Sequence, residues 1–186
     1  MSGGFEVTSD MLGRAEKVLK GIPGAAEKAV ARALNRALVS GRAEAVRAAR
    51  SEYTIKAAAV RADFSGMKRA RPKDLTAELG ARGSPKPLSV YKHAPTSDTT
   101  GAKRTQVRVA VKKGGLKPLG QAYIHGGRVM QRLGATRLPV EQKYGPSVPA
   151  VLGNLNVSEQ IMDKMRETAE SRLDHEILWA LEEAEK

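Results

Sequence analysis

A helical repeat near the start constrains this chain most. From Gly24 to Arg50 the apolar residues Ala26, Val30, Ala33, Leu34, Ala37 and Leu38 fall three or four positions apart, which aligns them on one face of an α-helix. Arg32, Arg36, Arg42, Arg47 and Arg50 stud the remaining surface. A helix of this kind needs an apolar partner. Pro23 suits its first turn, where a missing N–H costs nothing. Gly41 is its weak point, at about 1 kcal/mol relative to alanine.

A second helical stripe closes the sequence. Ser158 is expected to cap it, Glu159 to favour its dipole, and Ile161, Met162, Met165, Ala169, Leu173, Ile177, Ala180 and Leu181 to form its buried face. Two shorter helices are expected near the first. One runs from Met11 to Lys20, capped from Thr8-Ser9-Asp10 and closed by Gly21; the other spans Tyr53 to Asp63, with Thr54 as its cap.

Beyond Phe64-Ser65-Gly66 the period changes. Leu75 to Leu79 alternates like a strand, and Pro87 to Lys92 is expected to pair with it across Gly83-Ser84-Pro85. Thr96 to Lys103 reads as a loop. Thr105 to Lys112 reads as a strand with Val107, Val109 and Val111 on one face. Leu119 to Ile124 and Val129 to Leu133 read as a hairpin around Gly126-Gly127, and Arg137 to Val140 as extended chain. Pro146 and Pro149 fix their own φ and bias the preceding residues against helix, so 144–153 is expected to be an ordered turn. The sum is one α+β domain over 1–186. Helices occupy 8–63, an antiparallel sheet of four to five strands 73–141, and a long helix packed on that sheet 157–185.

The core should be lean. Hydrophobic residues make up 41% of the 186, but aromatics only 4%, and the many alanines each bury little area at roughly 25 cal/mol per Å². Such a core suits burial completed by partner subunits. The net charge is +12 and uneven along the chain: residues 1–140 carry 27 Lys/Arg against 10 Asp/Glu, and 141–186 carry 5 against 10. A basic body could face a polyanion, or meet the acidic end of another copy.

With no cysteine, disulfides and thiolate metal sites are excluded. His93, His125 and His175 have no ligand-like spacing, and no cofactor is expected. The start, Met1-Ser2-Gly3-Gly4-Phe5, lacks the basic and apolar regions of a signal peptide. No apolar run approaches the roughly 20 residues of a membrane span. The expectation is a chain made in a reducing cytoplasm, without membrane contact.

Catalysis finds little support. Ser147 lies between Pro146 and Val148, outside any nucleophile elbow, and His125 before Gly126-Gly127 reads as a turn residue. Glu167, Glu170, Asp174 and Glu182 read as a solvated helix face. Residues 120–127 lack the Gly-Lys-Ser/Thr of a phosphate loop. The expectation is a protein that is not an enzyme. Lys68-Arg69-Ala70-Arg71-Pro72-Lys73 is the densest basic run, followed by Lys103-Arg104 and Lys112-Lys113. Base readers interleave aromatics with such residues; here they could only contact phosphate.

The stretch from Gly120 to Pro149 resembles the minor tail protein Z family of long-tailed, lambda-like phages. The matching residues read Gly120-x-Ala122-Tyr123-Ile124, then Gly127-Arg128-Val129-Met130-Gln131-Arg132, Gly134, Arg137-Leu138-Pro139-Val140 and Pro146-Ser147-Val148-Pro149. Ile22 to Ala26, Ala33 to Ala37 and the last amphipathic helix also resemble the family, in the same order. The acidic last helix departs from it. The resemblance implies a tail-completion protein at the head-proximal end of the virion tail, assembled in the host cytoplasm. It implies a homo-oligomeric, hexameric ring that meets the tail tube or terminator and the head connector or neck proteins. It also implies a role in head–tail joining and in positioning the DNA end. On this reading Gly120, Ala122, Ile124, Gly127, Arg132, Arg137, Pro139, Gly145, Pro146, Ser147 and Pro149 are structural. Lys68, Arg69, Arg71, Lys103, Arg104, Lys112 and Lys113 are the candidates to face genomic DNA in the lumen. Two alternatives stand beside it: a sequence-nonspecific nucleic-acid-binding protein, and a tail terminator or neck adaptor of related fold. A peptidoglycan hydrolase carried in the tail ranks third.

Overall fold

The computed structural model describes residues 2–6, 9–99 and 105–185. In chain order, strand β1 (Ser2–Glu6) precedes helices α1 (Ser9–Val18), α2 (Ala25–Glu52) and α3 (Ala57–Ala62). Strands β2 (Phe64–Lys68), β3 (Thr76–Ala81) and β4 (Lys86–Pro87) follow, then a 3-10 turn at Leu88–Val90. Next come β5 (Lys92–Ala94), β6 (Arg108–Ala110), β7 (Lys117–Pro118), β8 (Ala122–His125) and β9 (Arg128–Arg132). β10 (Val140–Gln142), β11 (Tyr144–Gly145), α4 (Val148–Leu152) and α5 (Leu155–Ala184) complete the chain. The chain is α+β. Read above as a single domain, it sorts by contact into two compact units: unit 1 is 1–45, 64–81 and 155–186, and unit 2 is 46–63 and 82–154.

In unit 1 the α2 stripe behaves as its period dictates: Ala26, Val30, Ala33, Leu34, Ala37 and Leu38 are all buried. Pro23 does not occupy the first turn. Gly24, at φ +69°, separates it from Ala25, where the helix begins. Gly41 is no simple weak point either, because Met165 of α5 occupies the space its side chain would need. α5 packs against α1 and α2. Thr168 Oγ1 donates to Ser40 Oγ at 3.1 Å, and Arg14 reaches Asp174 at 2.7 Å.

α5 starts at Leu155, so Ser158 lies inside it and donates to the Leu155 carbonyl instead of capping. No acidic residue stands in its first turn. Val157, Ile161, Met165, Ala169, Leu173 and Ile177 are buried, while Met162, Ala180 and Leu181 are half-buried at its margins.

β3 pairs antiparallel with β1 on one side and β2 on the other. The expected partner, 87–92, lies elsewhere: Pro87 pairs with Tyr144 of β11. Both flanking strands escaped the sequence reading because Ser2-Gly3-Gly4 and Phe64-Ser65-Gly66 lack alternation, and β2 is interrupted by a register shift between Phe64 and Gly66. The Asn35 side chain ties the end of β2 to α2. Its amide donates to the Ala70 carbonyl at 2.9 Å, and its oxygen accepts from the Ala70 N–H at 3.0 Å.

Unit 2 holds three small sheets, ordered β10-β9-β8, β11-β4 and β5-β6-β7. With β1-β3-β2 that makes four antiparallel sheets among the described residues, in place of the single one expected. Short strands with a turn every few residues cannot extend one ladder far. The Gly126-Gly127 hairpin is as read, with φ of +57° and +70°, the signature of a type I′ turn. The strand expected over Thr105 to Lys112 contracts to β6, with Val107 and Val109 buried and Val111 half-buried.

Thr54 is not a cap. Its hydroxyl donates to the Ala110 carbonyl and accepts from the Lys92 N–H at 3.0 Å, while α3 starts three residues later without a side-chain cap. The 144–153 segment contains a helix where a turn was expected: Ser147 Oγ accepts from the Ala150 N–H at 3.3 Å. Pro149 is tolerated in that first turn, whose N–H groups have no helical acceptor. Thr8 and residues 100–104 lie outside the described residues.

Candidate interaction surface

The residues assigned structural roles all fall in unit 2. Ile124 is fully buried, and Ala122 sits in β8 opposite Gln131. The Arg132 guanidinium lies over the Tyr123 ring at 5.7 Å. The Leu133 N–H donates to the Pro139 carbonyl at 3.1 Å, closing a loop on whose exposed side Arg137 stands. Gly145 and Pro146 meet Tyr91, which is 1% exposed and donates its hydroxyl to the Pro146 carbonyl at 2.7 Å. Burial pushes the Tyr91 phenol up to about 12, with a smaller contribution from Tyr53. Gly120 departs from expectation. It has no left-handed φ and open space around it; the left-handed residue is Gln121, at φ +54°.

The basic candidates do not form one run. Lys68, Arg69 and Arg71 belong to unit 1, Lys112 and Lys113 to unit 2, and Lys103 and Arg104 lie outside the described residues. Lys68 is engaged within its own sheet, 3.0 Å from Asp74 and 3.8 Å from Glu78. Its hydrogen bond to Asp74 holds the ammonium above its ordinary value. Asp74 is in turn held low, first by its hydrogen bond with Thr76 and then by Lys68. Arg71 closes a tight turn, exchanging backbone hydrogen bonds with Asp74.

Folding redistributes the charge. Unit 2 holds 17 Lys/Arg and 4 Asp/Glu, a net +13; unit 1 holds 15 and 16, a net −1. The chain's positive charge therefore belongs to unit 2. Its carboxylates are few, and three of the four are engaged. Asp63 pairs with Lys86 at 2.6 Å, and Glu141 pairs with Lys143. Asp98 accepts from the Gly126 and Gly127 N–H groups at 2.9 and 3.3 Å, which hold its carboxyl below the ordinary range.

In unit 1 the acidic α5 is half-spent internally. Asp174 pairs with Arg14, Glu176 with Arg32 and Arg172, Asp163 with Arg166 and Glu167 with Lys164. Glu159, Glu170, Glu182 and Glu185 are exposed and carry no ion pair among the described residues.

Among the apolar side chains that reach solvent, two pairs stand out. Leu133 and Leu138, 58% and 67% exposed, stand on the β9–β10 loop of unit 2. Val18 and Leu178, 50% and 60% exposed, line a groove of unit 1 with Arg14, Lys17, Asp174 and Ile177. Nearby in that unit, Trp179 lies under the Arg32 guanidinium at 4.2 Å. The sequence reading missed Leu133 and Leu138 as a pair, although both flank the short polar stretch Gly134 to Arg137. Tyr91 and Asp98 carried no local signal of their contacts.

Among the described residues, no group of three or more His, Cys, Asp or Glu could hold a metal, and no helix is long and apolar enough to cross a membrane. Ser147 is committed to its cap. Comparison of the chain with protein-family models, with curated proteins and with solved structures returned no match.

Proposed function

We propose that this chain is a structural, non-enzymatic component that completes a phage tail at its head-proximal end. In this reading it assembles head-to-tail into a ring, in contact with tail-tube or terminator and neck proteins, and supports head–tail joining. The observation that carries the reading is the β9–β10 loop. It lies inside the stretch that resembles the minor tail protein Z family, its base is closed by the Leu133–Pro139 hydrogen bond, and it offers Leu133 and Leu138 to solvent. Two exposed leucines on a pinned loop are a natural anchor for a neighbouring protein.

A second pairing of surfaces supports the ring. Arg137 accompanies the leucines on the loop, and the Val18–Leu178 groove carries Asp174 of α5 beside Arg14 and Lys17. A loop of one copy seated on α5 of the next would be a heterologous contact, the kind that closes into rings. A pairing of Arg137 with Asp174 of the next copy would set its orientation.

The test is electron microscopy and infectivity of particles assembled without this protein. Tails that fail to join heads, or joined particles that do not infect, are the expected outcome. Normal infectious particles would overturn the reading.

A further inference from the structure

The basic surface of unit 2 has a centre. Lys92 on β5 pairs with Ala110, and Arg108 on β6 pairs with Ala94. Side chains of directly opposed residues share a face, as do alternate residues along a strand. Lys92 and Arg108 therefore leave the same side of the small sheet. Lys112 and Lys113 follow β6 after Val111, and Lys113 is held by its N–H donating to the Glu52 carbonyl at 2.8 Å. Lys56 is fixed to the 3-10 turn that precedes β5, its N–H donating to the Val90 carbonyl at 3.0 Å. All five side chains are exposed, and none has an ion pair among the described residues. They contrast with Lys68, whose partners are in its own sheet.

We infer that this surface, built on β5–β6 and the 52–56 segment, binds the phosphate backbone of duplex nucleic acid without reading sequence. Three observations favour a duplex. None of the exposed large apolar side chains belongs to β5, β6 or the 52–56 segment, whereas protein interfaces centre on aromatic or aliphatic anchors. The aromatic rings beside it, Tyr53 and Tyr91, are buried at 6% and 1% exposure. Unpaired bases therefore find no stacking platform, which single-strand binders use. Bare cations on a rigid backbone suffice for phosphate contact, which positions a duplex and carries no sequence information. The inference deepens the proposed function and rests on it for its setting, the DNA-end contact; the contact itself rests on unit 2's charges.

The test uses the full-length chain and a fluorescent DNA duplex of random sequence, titrated across salt concentrations. Each phosphate contact contributes about −0.9 to the slope of log affinity against log salt. The variant Lys56→Gln, Lys92→Gln, Arg108→Gln, Lys113→Gln should flatten that slope by about four, roughly one per cation removed. The control Lys68→Gln, Arg69→Gln, Arg71→Gln, Lys73→Gln, with the same change in net charge, should leave it within about one. Arginine at the three lysine positions should retain binding, and thermal unfolding of each variant reports that it remains folded. Equal flattening by both glutamine variants would overturn the inference in favour of net charge alone. Single strands bound as tightly as the duplex, or polyglutamate displacing the duplex at equal charge, would also overturn it. An RNA duplex bound equally well supports backbone contact and leaves the DNA setting to the particle experiment. Because binding is measured on the isolated chain, its failure is distinguishable from failure of the tail reading.

Discussion

The ring of Tyr91 fills the space that a side chain on Gly145 would need: a Cβ at Gly145 would lie 2.7 Å from Tyr91 Cε2. The same ring ends in a hydroxyl bonded to the Pro146 carbonyl. One residue thus fixes the chain as it leaves β11 for α4, which explains glycine at 145. Gly145→Ala should lower stability by about 1–3 kcal/mol, as over-packing commonly does. Tyr91→Phe keeps the ring and should cost about 1 kcal/mol for the lost hydrogen bond. Thermal unfolding of both variants checks the pair.

Tyr91 also sets a pH dependence. Its phenol, raised to about 12 by burial, holds a proton in the folded state that the unfolded chain releases near 10. The stabilisation is complete below about pH 10 and is lost as pH rises from there through 12. Denaturant unfolding measured across that window should show a decline that is shallower in Tyr91→Phe.

Asp98 works in the opposite direction. Two backbone N–H groups of the hairpin turn hold its carboxyl below the ordinary range. Its contribution is present above the unfolded carboxylate pKa and disappears as pH falls through the lower folded one. The amide resonances of Gly126 and Gly127, followed by NMR, should move at a lower pH than those beside ordinary aspartates. In Asp98→Asn that acid-range movement should vanish.

Gly41 and Met165 give a test of packing against propensity. Alanine in place of a mid-helix glycine usually gains about 1 kcal/mol, but Met165 occupies the site a methyl would take. Gly41→Ala alone should therefore destabilise by about 1–3 kcal/mol. In a Met165→Ala background the same change should become neutral or stabilising. A double-mutant cycle by denaturant unfolding measures the reversal; additive effects would show that the two residues do not compete for space.

What could be read in the sequence divides along physical lines. The buried face of α2, most of that of α5, and the Gly126-Gly127 turn rest on local periodicity or local backbone conformation, and they were legible. Strand pairing was not. β3 has a clear alternation, yet its partners are Gly-containing segments 60 residues or more before it and a few residues before it, which no local pattern reveals. The grouping of charge was hidden for the same reason. Lys68 stands in the densest basic run, but its pairing with Asp74 and Glu78 appears only once β2 lies beside β3. The division into +13 and −1 needs the fold, because unit 1 gathers both termini.

The β9–β10 loop offers the sharpest test of assembly. Leu133 and Leu138 each leave more than half of their surface in water, at a cost of the order of 1 kcal/mol apiece relative to burial. If the loop seats on a neighbouring copy, a charge in place of one of its leucines must break the contact and spare the monomer. Leu138→Asp should leave the unfolding midpoint of the isolated chain within about 0.5 kcal/mol of wild type, as an exposed change does. It should also abolish self-association in analytical ultracentrifugation and completion of tails. Asp174→Lys, on the opposing groove, should weaken association too, though it also breaks the Arg14 pair within the chain. The informative comparison is therefore the mixture. The two variants together retain one intact loop and one intact groove, so a single wild-type contact remains and closed rings should be replaced by dimers. Rings formed by Leu138→Asp alone would assign the loop to a different partner.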